Sequence, residues 1–207
     1  MLDSRRPMAS ILVVCTGNIC RSPMAEGFLR RLLSSRGATG IELSSAGTSG
    51  WDGSGAVPES VEAAAERGAD ISGHLARRLD RQMLEGADLA LAMSAEHRDR
   101  AIDLSPSIQP RAFTLKELVR LLEALPPAEW DGSEAGRLIR ERVQEAAALR
   151  QSGFAGNPLD EDVVDPLGLP LPSYRAVAWE LDEWSARLVD GLFGKAQAQA
   201  SLWSAEG

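Results

Sequence analysis

The residues best suited to chemistry in this chain lie in one short string, Cys15-Thr16-Gly17-Asn18-Ile19-Cys20-Arg21-Ser22-Pro23, which holds both cysteines of the 207-residue sequence. A loop of this composition between a strand and a helix can turn successive backbone N–H groups inward. The helix N-terminus adds a positive dipole end, so the geometry favours a bound oxyanion. Gly17 allows a positive φ and Asn18 tolerates one. Ser22-Pro23 reads as the N-cap and first residue of the helix. A cysteine at the start of such a cradle sits at the focus of donors that stabilise a thiolate, which makes Cys15 the candidate nucleophile. Arg21 can grip two phosphoryl oxygens bidentately and so suits a trigonal transition state better than a lysine. Ser22 can offer its hydroxyl to the sulfur. This set supports phosphoryl transfer to Cys15 with no metal and no cofactor.

The elements that must position this loop are also legible. Ile11-Leu12-Val13-Val14 reads as a buried strand ending at Cys15, and Ala25, Phe28, Leu29, Leu32 and Leu33 give one apolar helical face closing before Gly37. The pattern repeats: a strand at 41–46, a glycine-rich loop at 47–55 and a helix at 58–67. A strand at 87–93 precedes a helix from about Ser94, and a short strand at 111–113 precedes a helix from Thr114. Alternating strands and helices predict a parallel α/β sheet covered on both faces, with ligands beyond the carboxyl ends of the strands at the topological switch point. From Leu125 to Asp162 the composition shifts, and Leu138, Ile139, Val143, Ala146 and Leu149 keep helical spacing; this reads as an inserted, solvated surface helix between loops. A last long helix spans roughly 173–192. The expected organisation is a flexible leader at 1–9, one domain at 10–195 and a mobile tail at 196–207.

With 44% hydrophobic residues at this length, one domain can bury roughly 70% of its unfolded surface without disulfides. Two cysteines alone cannot form a zinc cluster, and with only two histidines in the chain a metal site is not expected. A formal net charge of -8 argues against nucleic-acid partners and anionic membranes. The apolar stretch Ile11 to Cys15 is too short for a signal or a membrane span, so a cytoplasmic protein with free thiols is expected.

The full loop string, followed by Met24-Ala25-Glu26, resembles that of the low-molecular-weight protein-tyrosine phosphatases. The resemblance continues through Ser45-Ala46-Gly47-Thr48, Trp51, Ser72-Gly73-His74, Arg77-Arg78-Leu79, Phe113 to Leu118 and Asp165-Pro166, covering most of 10–192 apart from the insert. It implies a four-stranded parallel sheet in flavodoxin-like order 2-1-3-4, and hydrolysis of phosphotyrosine in proteins through a phosphocysteine. Thr16 to Ser22 would bind the phosphate and Asp165 would be the general acid. A phenolate leaves poorly unless protonated, and the same carboxylate can then activate the hydrolytic water. His74 becomes a supporting group that bonds the loop through Asn18 and Ser45. Cys20 becomes a redox partner for Cys15, against its plain reading as a small buried hydrophobe.

Ile19, Trp51 and Leu167 would wall the substrate pocket. The family usually places aromatic residues after Asp-Pro, where Leu167-Gly168 stand here, and often an aspartate where Ser94 stands. Asp160 and Asp162 are rivals for the acid, and His97 reads as surface helix. Three alternatives remain. Protein-arginine phosphatases share the loop but usually carry Thr in place of Ile19. Arsenate reductases of the thiol-relay kind need later cysteines, and none follows Cys20 here, which leaves an external-thiol enzyme. A non-catalytic phosphoprotein-binding module would not need Cys15, Arg21 and Asp165 together.

Overall fold

The structure, a computed structural model, describes residues 9–49, 51–154 and 161–195. The elements run β1 (Ala9–Cys15), α1 (Arg21–Ser35), β2 (Ile41–Gly47), α2 (Pro58–Ala65), α3 (Arg81–Gly86), β3 (Leu89–Ala92) and α4 (Ala95–Leu104). After a 3-10 turn at Pro106–Arg111 come β4 (Ala112–Thr114), α5 (Leu115–Ala124), α6 (Ala135–Gln151) and α7 (Leu171–Phe193). The four strands form one parallel sheet in the order β2-β1-β3-β4. This is the single-domain α/β architecture expected from the sequence.

The period-two alternation of a strand divides the core between the two faces of the sheet. Ile11, Val13 and Cys15 point into the larger cluster with α1, α2, α5, α6 and α7. Leu12 and Val14 point into a smaller one with Ala46, Leu84, Ala90, Ala101 and Ile108, beneath α3 and α4. Helices therefore cover both faces, and β1, paired on either side, has no exposed edge. Since β2 lies on one side of β1 and β3 on the other, the chain reverses direction across the sheet at the carboxyl end of β1, where Cys15 stands.

Three boundaries differ from the sequence reading. Ala9, expected in the leader, is fully buried and pairs with Ile41 in β1; the rest of the leader, and the tail at 196–207, lie outside the described residues. Helix α1 begins at Arg21, with Cys20 at the N-cap and no side-chain cap bond, so Ser22 is not the cap. The inserted helix is not solvated all round. Ala135, Ile139, Val143, Ala146 and Ala147 of α6 are buried in the larger cluster, because the apolar spacing seen in sequence is a core-facing stripe; most of its charges face out, although Arg142 is also buried, donating to the Gly191 carbonyl.

Among the described residues no helix is long and apolar enough to cross a membrane.

Candidate active site

The loop from Cys15 to Ser22 owes its shape to bonds made by its carbonyls. Those of Cys15 and Thr16 accept from the N–H groups of Thr48 and Ser49, each at 2.9 Å, and that of Ile19 accepts from Val57 N–H at 3.0 Å. The Asn18 carbonyl lies 2.7 Å from His74 Nε2, and a carbonyl only accepts, so that nitrogen carries the proton. With its oxygens held outward, the loop leaves the N–H groups of Thr16 to Cys20 without an acceptor among the described residues, free to converge on one anion. The positive φ falls on Asn18 (56°) rather than Gly17. At Gly17 a Cβ would sit 3.0 Å from Trp51 Cδ1, so a side chain there would push the Trp51 ring outward. At Gly47 a Cβ would fall 2.6 Å from the Thr16 carbonyl oxygen, so the second strand must end in glycine.

Asn18 earns its strained backbone through its amide. Its Nδ2 donates to Ser22 Oγ and to Ser45 Oγ, both at 2.8 Å, while its Oδ1 accepts from Arg77 N–H at 2.9 Å. Ser45 passes its own proton to Glu26 Oε2 at 2.6 Å. Because Ser22 Oγ already accepts from Asn18, its hydrogen is free for Cys15 Sγ, 3.0 Å away and buried. His74 thus supports the loop through the Asn18 backbone, and Ser45 through the Asn18 side chain. The expected link from His74 to Ser45 is not among the bonds His74 makes, because Ser45 faces Asn18 and Glu26 instead.

Arg21 stands at the first position of α1 with its side chain only 7% exposed. Nη1 donates to the Val163 carbonyl at 3.1 Å; Nη2 donates to Thr16 Oγ1 at 3.2 Å and to Asp165 Oδ2 at 2.6 Å. Its Nε–H is buried without a partner, so the Nε and Nη2 edge is the fork left for a phosphoryl group once Asp165 lets go. Asp165 is 44% exposed, and its other oxygen accepts from Leu167 N–H at 3.1 Å in an Asx turn that aims the carboxylate at the loop.

The extended segment that carries Asp165 is tied down just before it. Val163 N–H donates to the Met93 carbonyl at 2.8 Å, Asp162 Oδ1 accepts from Ala95 N–H at the start of α4, and Lys116 Nζ donates to the Asp162 carbonyl at 3.0 Å. Asp162, a rival for the acid in sequence, is therefore occupied as a helix cap. Asp160 lies outside the described residues.

Trp51 is 50% exposed with its ring against Gly17, and Leu167 is 48% exposed. Ile19, expected in the pocket wall, is instead buried in the larger core cluster, whereas Trp51 and Leu167 remain exposed. Cys20 is a free, buried thiol, and burial pushes its pKa up to about 11.

Sequence reasoning missed His97. Far from lying on the surface, it is 4% exposed, with Nδ1 2.7 Å from Ser94 Oγ and Nε2 2.8 Å from Thr16 Oγ1. Burial, then the nearby Arg21 guanidinium, holds its pKa down to about 4. The signal available was the spacing Ser94-x-x-His97 at a helix start, which puts the ring beside the capping hydroxyl.

A strand-loop-helix cradle with a cysteine at its base, an arginine across its mouth and a carboxylate above it defines a phosphate-handling enzyme of the cysteine-nucleophile class. The sequence model of the low molecular weight phosphotyrosine protein phosphatases matches residues 10–143, and the chain belongs to that family of phosphatases. The low molecular weight protein-tyrosine-phosphatase Etp of Escherichia coli K12 is 36% identical over 118 residues, covering 57% of this chain and 76% of that protein. A protein-arginine-phosphatase of Geobacillus stearothermophilus is 30% identical over 182 residues, covering 88% and 95%. The crystal structure of a low molecular weight protein tyrosine phosphatase from T. tengcongensis superposes with a TM-score of 0.65 at 33% identity, covering 88% of this chain and 98% of that one.

Proposed function

We propose that this phosphatase hydrolyses phosphotyrosine in proteins and peptides, with Cys15, Arg21 and Asp165 as its catalytic residues. The dianion binds in the ring of N–H groups from Thr16 to Ser22, displaces Asp165 from Arg21 Nη2 and takes the Nε and Nη2 edge. The Cys15 thiolate attacks phosphorus; the S–P bond forms as the bond to the phenolic oxygen breaks, and Asp165, which takes up a proton from solvent once released from Arg21, gives that proton to the phenolic oxygen. The Asp165 carboxylate then takes a proton from water, whose oxygen attacks phosphorus and expels the Cys15 thiolate, which Ser22 Oγ stabilises by hydrogen bonding at 3.0 Å. Neither a metal nor a cofactor enters this sequence.

The observation that carries the substrate class is the half-exposed Trp51 ring against the anion loop at Gly17, a flat apolar surface where a phenyl ring attached to the phosphate would lie. A second reading, phosphoarginine, is favoured by the nearly full-length similarity to a protein-arginine-phosphatase, and an indole face also accepts a guanidinium. The deciding experiment is a metal-free assay, side by side, of a phosphotyrosine peptide, a phosphoarginine peptide, and arsenate with an external thiol, with Cys15→Ser as the blank. Phosphotyrosine turnover at least tenfold above the other two is expected. A preference for phosphoarginine would transfer the assignment, and full turnover by the Cys15→Ser protein would remove the phosphocysteine mechanism.

A further inference from the structure

His97 has no part in the chemistry above, yet it is buried directly behind the phosphate loop. Arg21 rests on three acceptors: Val163 O, Thr16 Oγ1 and Asp165. In the proposed mechanism Asp165 must leave Arg21 to serve the leaving group, so during the reaction only the Val163 carbonyl and the Thr16 hydroxyl hold the guanidinium plane. The carbonyl is fixed through its own residue, whose N–H donates to the Met93 carbonyl at 2.8 Å. Thr16 is solvent-exposed, and an exposed hydroxyl rotor has no fixed direction of its own. What fixes it is His97 Nε2 at 2.8 Å. The ring is held in turn by Nδ1 against Ser94 Oγ at 2.7 Å, and Ser94 also receives the His97 backbone N–H at 3.3 Å as the cap of α4.

A neutral imidazole donates from one nitrogen and accepts at the other, and so can join two hydroxyls. Arg21 only donates, so Thr16 Oγ1 is its acceptor whichever tautomer the ring adopts. The resulting chain runs from Ser94 through His97 and Thr16 to Arg21 and connects the start of α4 to the phosphoryl-binding side chain. An imidazolium in this place would face the Arg21 charge, and burial together with that charge keeps the ring neutral.

We propose that His97 is a positioning residue for phosphoryl transfer, orienting the Thr16 hydroxyl on which Arg21 rests and so setting the guanidinium plane in the transition state. The inference rests on the reading of Arg21 as the phosphoryl-binding group. Losing one such bond between ground and transition state corresponds to about tenfold in rate.

The test is a double-mutant cycle on p-nitrophenyl phosphate with His97→Leu, Thr16→Val and the combined protein, with thermal midpoints measured in parallel. His97→Leu and Thr16→Val should each lower kcat about tenfold with KM changed less than about threefold. The double variant should be no slower than the worse single one, because both remove the same link. His97→Gln, whose amide reaches the place of Nε2, should recover most of the rate, whereas His97→Asn, which reaches only Ser94, should not. If His97→Leu fails to fold, the Gln and Asn variants crossed with Thr16→Val supply the same cycle. Unchanged kcat in His97→Leu or Asn, or losses that multiply with Thr16→Val, would overturn the proposal. Arg21→Ala separates the two levels: normal turnover in that variant removes the reading of Arg21 itself, while an inactive Arg21→Ala beside normal His97 variants removes only the role of His97.

Discussion

At the scale of single residues, the contact with most consequence is the 2.6 Å ion pair between Arg21 and Asp165. It places the proposed acid on the side chain that the phosphate must claim, so substrate binding and acid release are one exchange. Asp165→Asn therefore changes two measurements in opposite directions. Loss of the proton donor slows aryl phosphates with poor leaving groups most, by roughly 100-fold or more, while nitrophenyl esters suffer least. Loss of the competing charge tightens inorganic phosphate as an inhibitor by about fivefold, the effect of one half-exposed ion pair. A weaker phosphate inhibition constant in this variant would show that Asp165 does not compete for Arg21. The redox role of Cys20 can be judged in the same way. Its pKa of about 11 leaves little thiolate at neutral pH, so closure of a disulfide onto peroxide-oxidised Cys15 should quicken with each step of pH from 7 to 9. Mass spectrometry after thiol trapping reads that directly, and a rate flat in pH, or over-oxidised Cys15 alone, would count against the pairing.

At the scale of elements, the sequence was most informative where period and punctuation agreed. The β-branched run of β1 and the apolar stripe of α1 placed the nucleophile loop, and the helix expected from Thr114 is α5, which Thr114 and Glu117 open with a capping box. It was least informative where a side chain has two equally plausible partners. Ser22 looks like a cap, but Asn18 and Cys15 claim its hydroxyl, and only the folded loop brings them to it. His97 looks like a polar residue on a polar helix, because nothing local shows that Thr16, 81 positions away, lies against the ring. Helix α6 was misjudged because a charged face and a buried face coexist in one amphipathic segment. Its core role gives a clear expectation: Ile139→Ala, at a fully buried position, should cost about 2–4 kcal/mol in denaturant unfolding. The kcat on p-nitrophenyl phosphate should stay within about twofold of wild type, since α6 contributes no side chain to the loop. A loss below 1 kcal/mol would return α6 to the solvated surface.

At the scale of the whole molecule, the nucleophile and the proposed acid are separated by most of the chain, and two helices carry them. Helix α1 starts at Arg21, and α7 starts at Leu171, shortly after Asp165. The register between these helices belongs to the core packing, while the acid loop itself is anchored locally by Met93 and Lys116. Asp182 of α7 holds that register: its carboxylate, 12% exposed, takes Arg31 of α1 on one oxygen and Arg67 Nε at 2.9 Å on the other. The two guanidinium groups are more exposed than the acid they share, so removing its charge leaves them able to return to water, and the penalty should fall below that of a fully buried broken pair. Asp182→Asn is expected to lower stability by about 2 kcal/mol. Well below the melting transition, kcat should fall by less than about threefold, because Arg21 and Asp165 are anchored locally by Val163, Thr16 and Leu167. Urea unfolding and p-nitrophenyl phosphate kinetics on the same preparation separate the two effects. A large fall in kcat with unchanged stability would mean that the α1 and α7 register is set elsewhere and that Asp182 acts on the site itself.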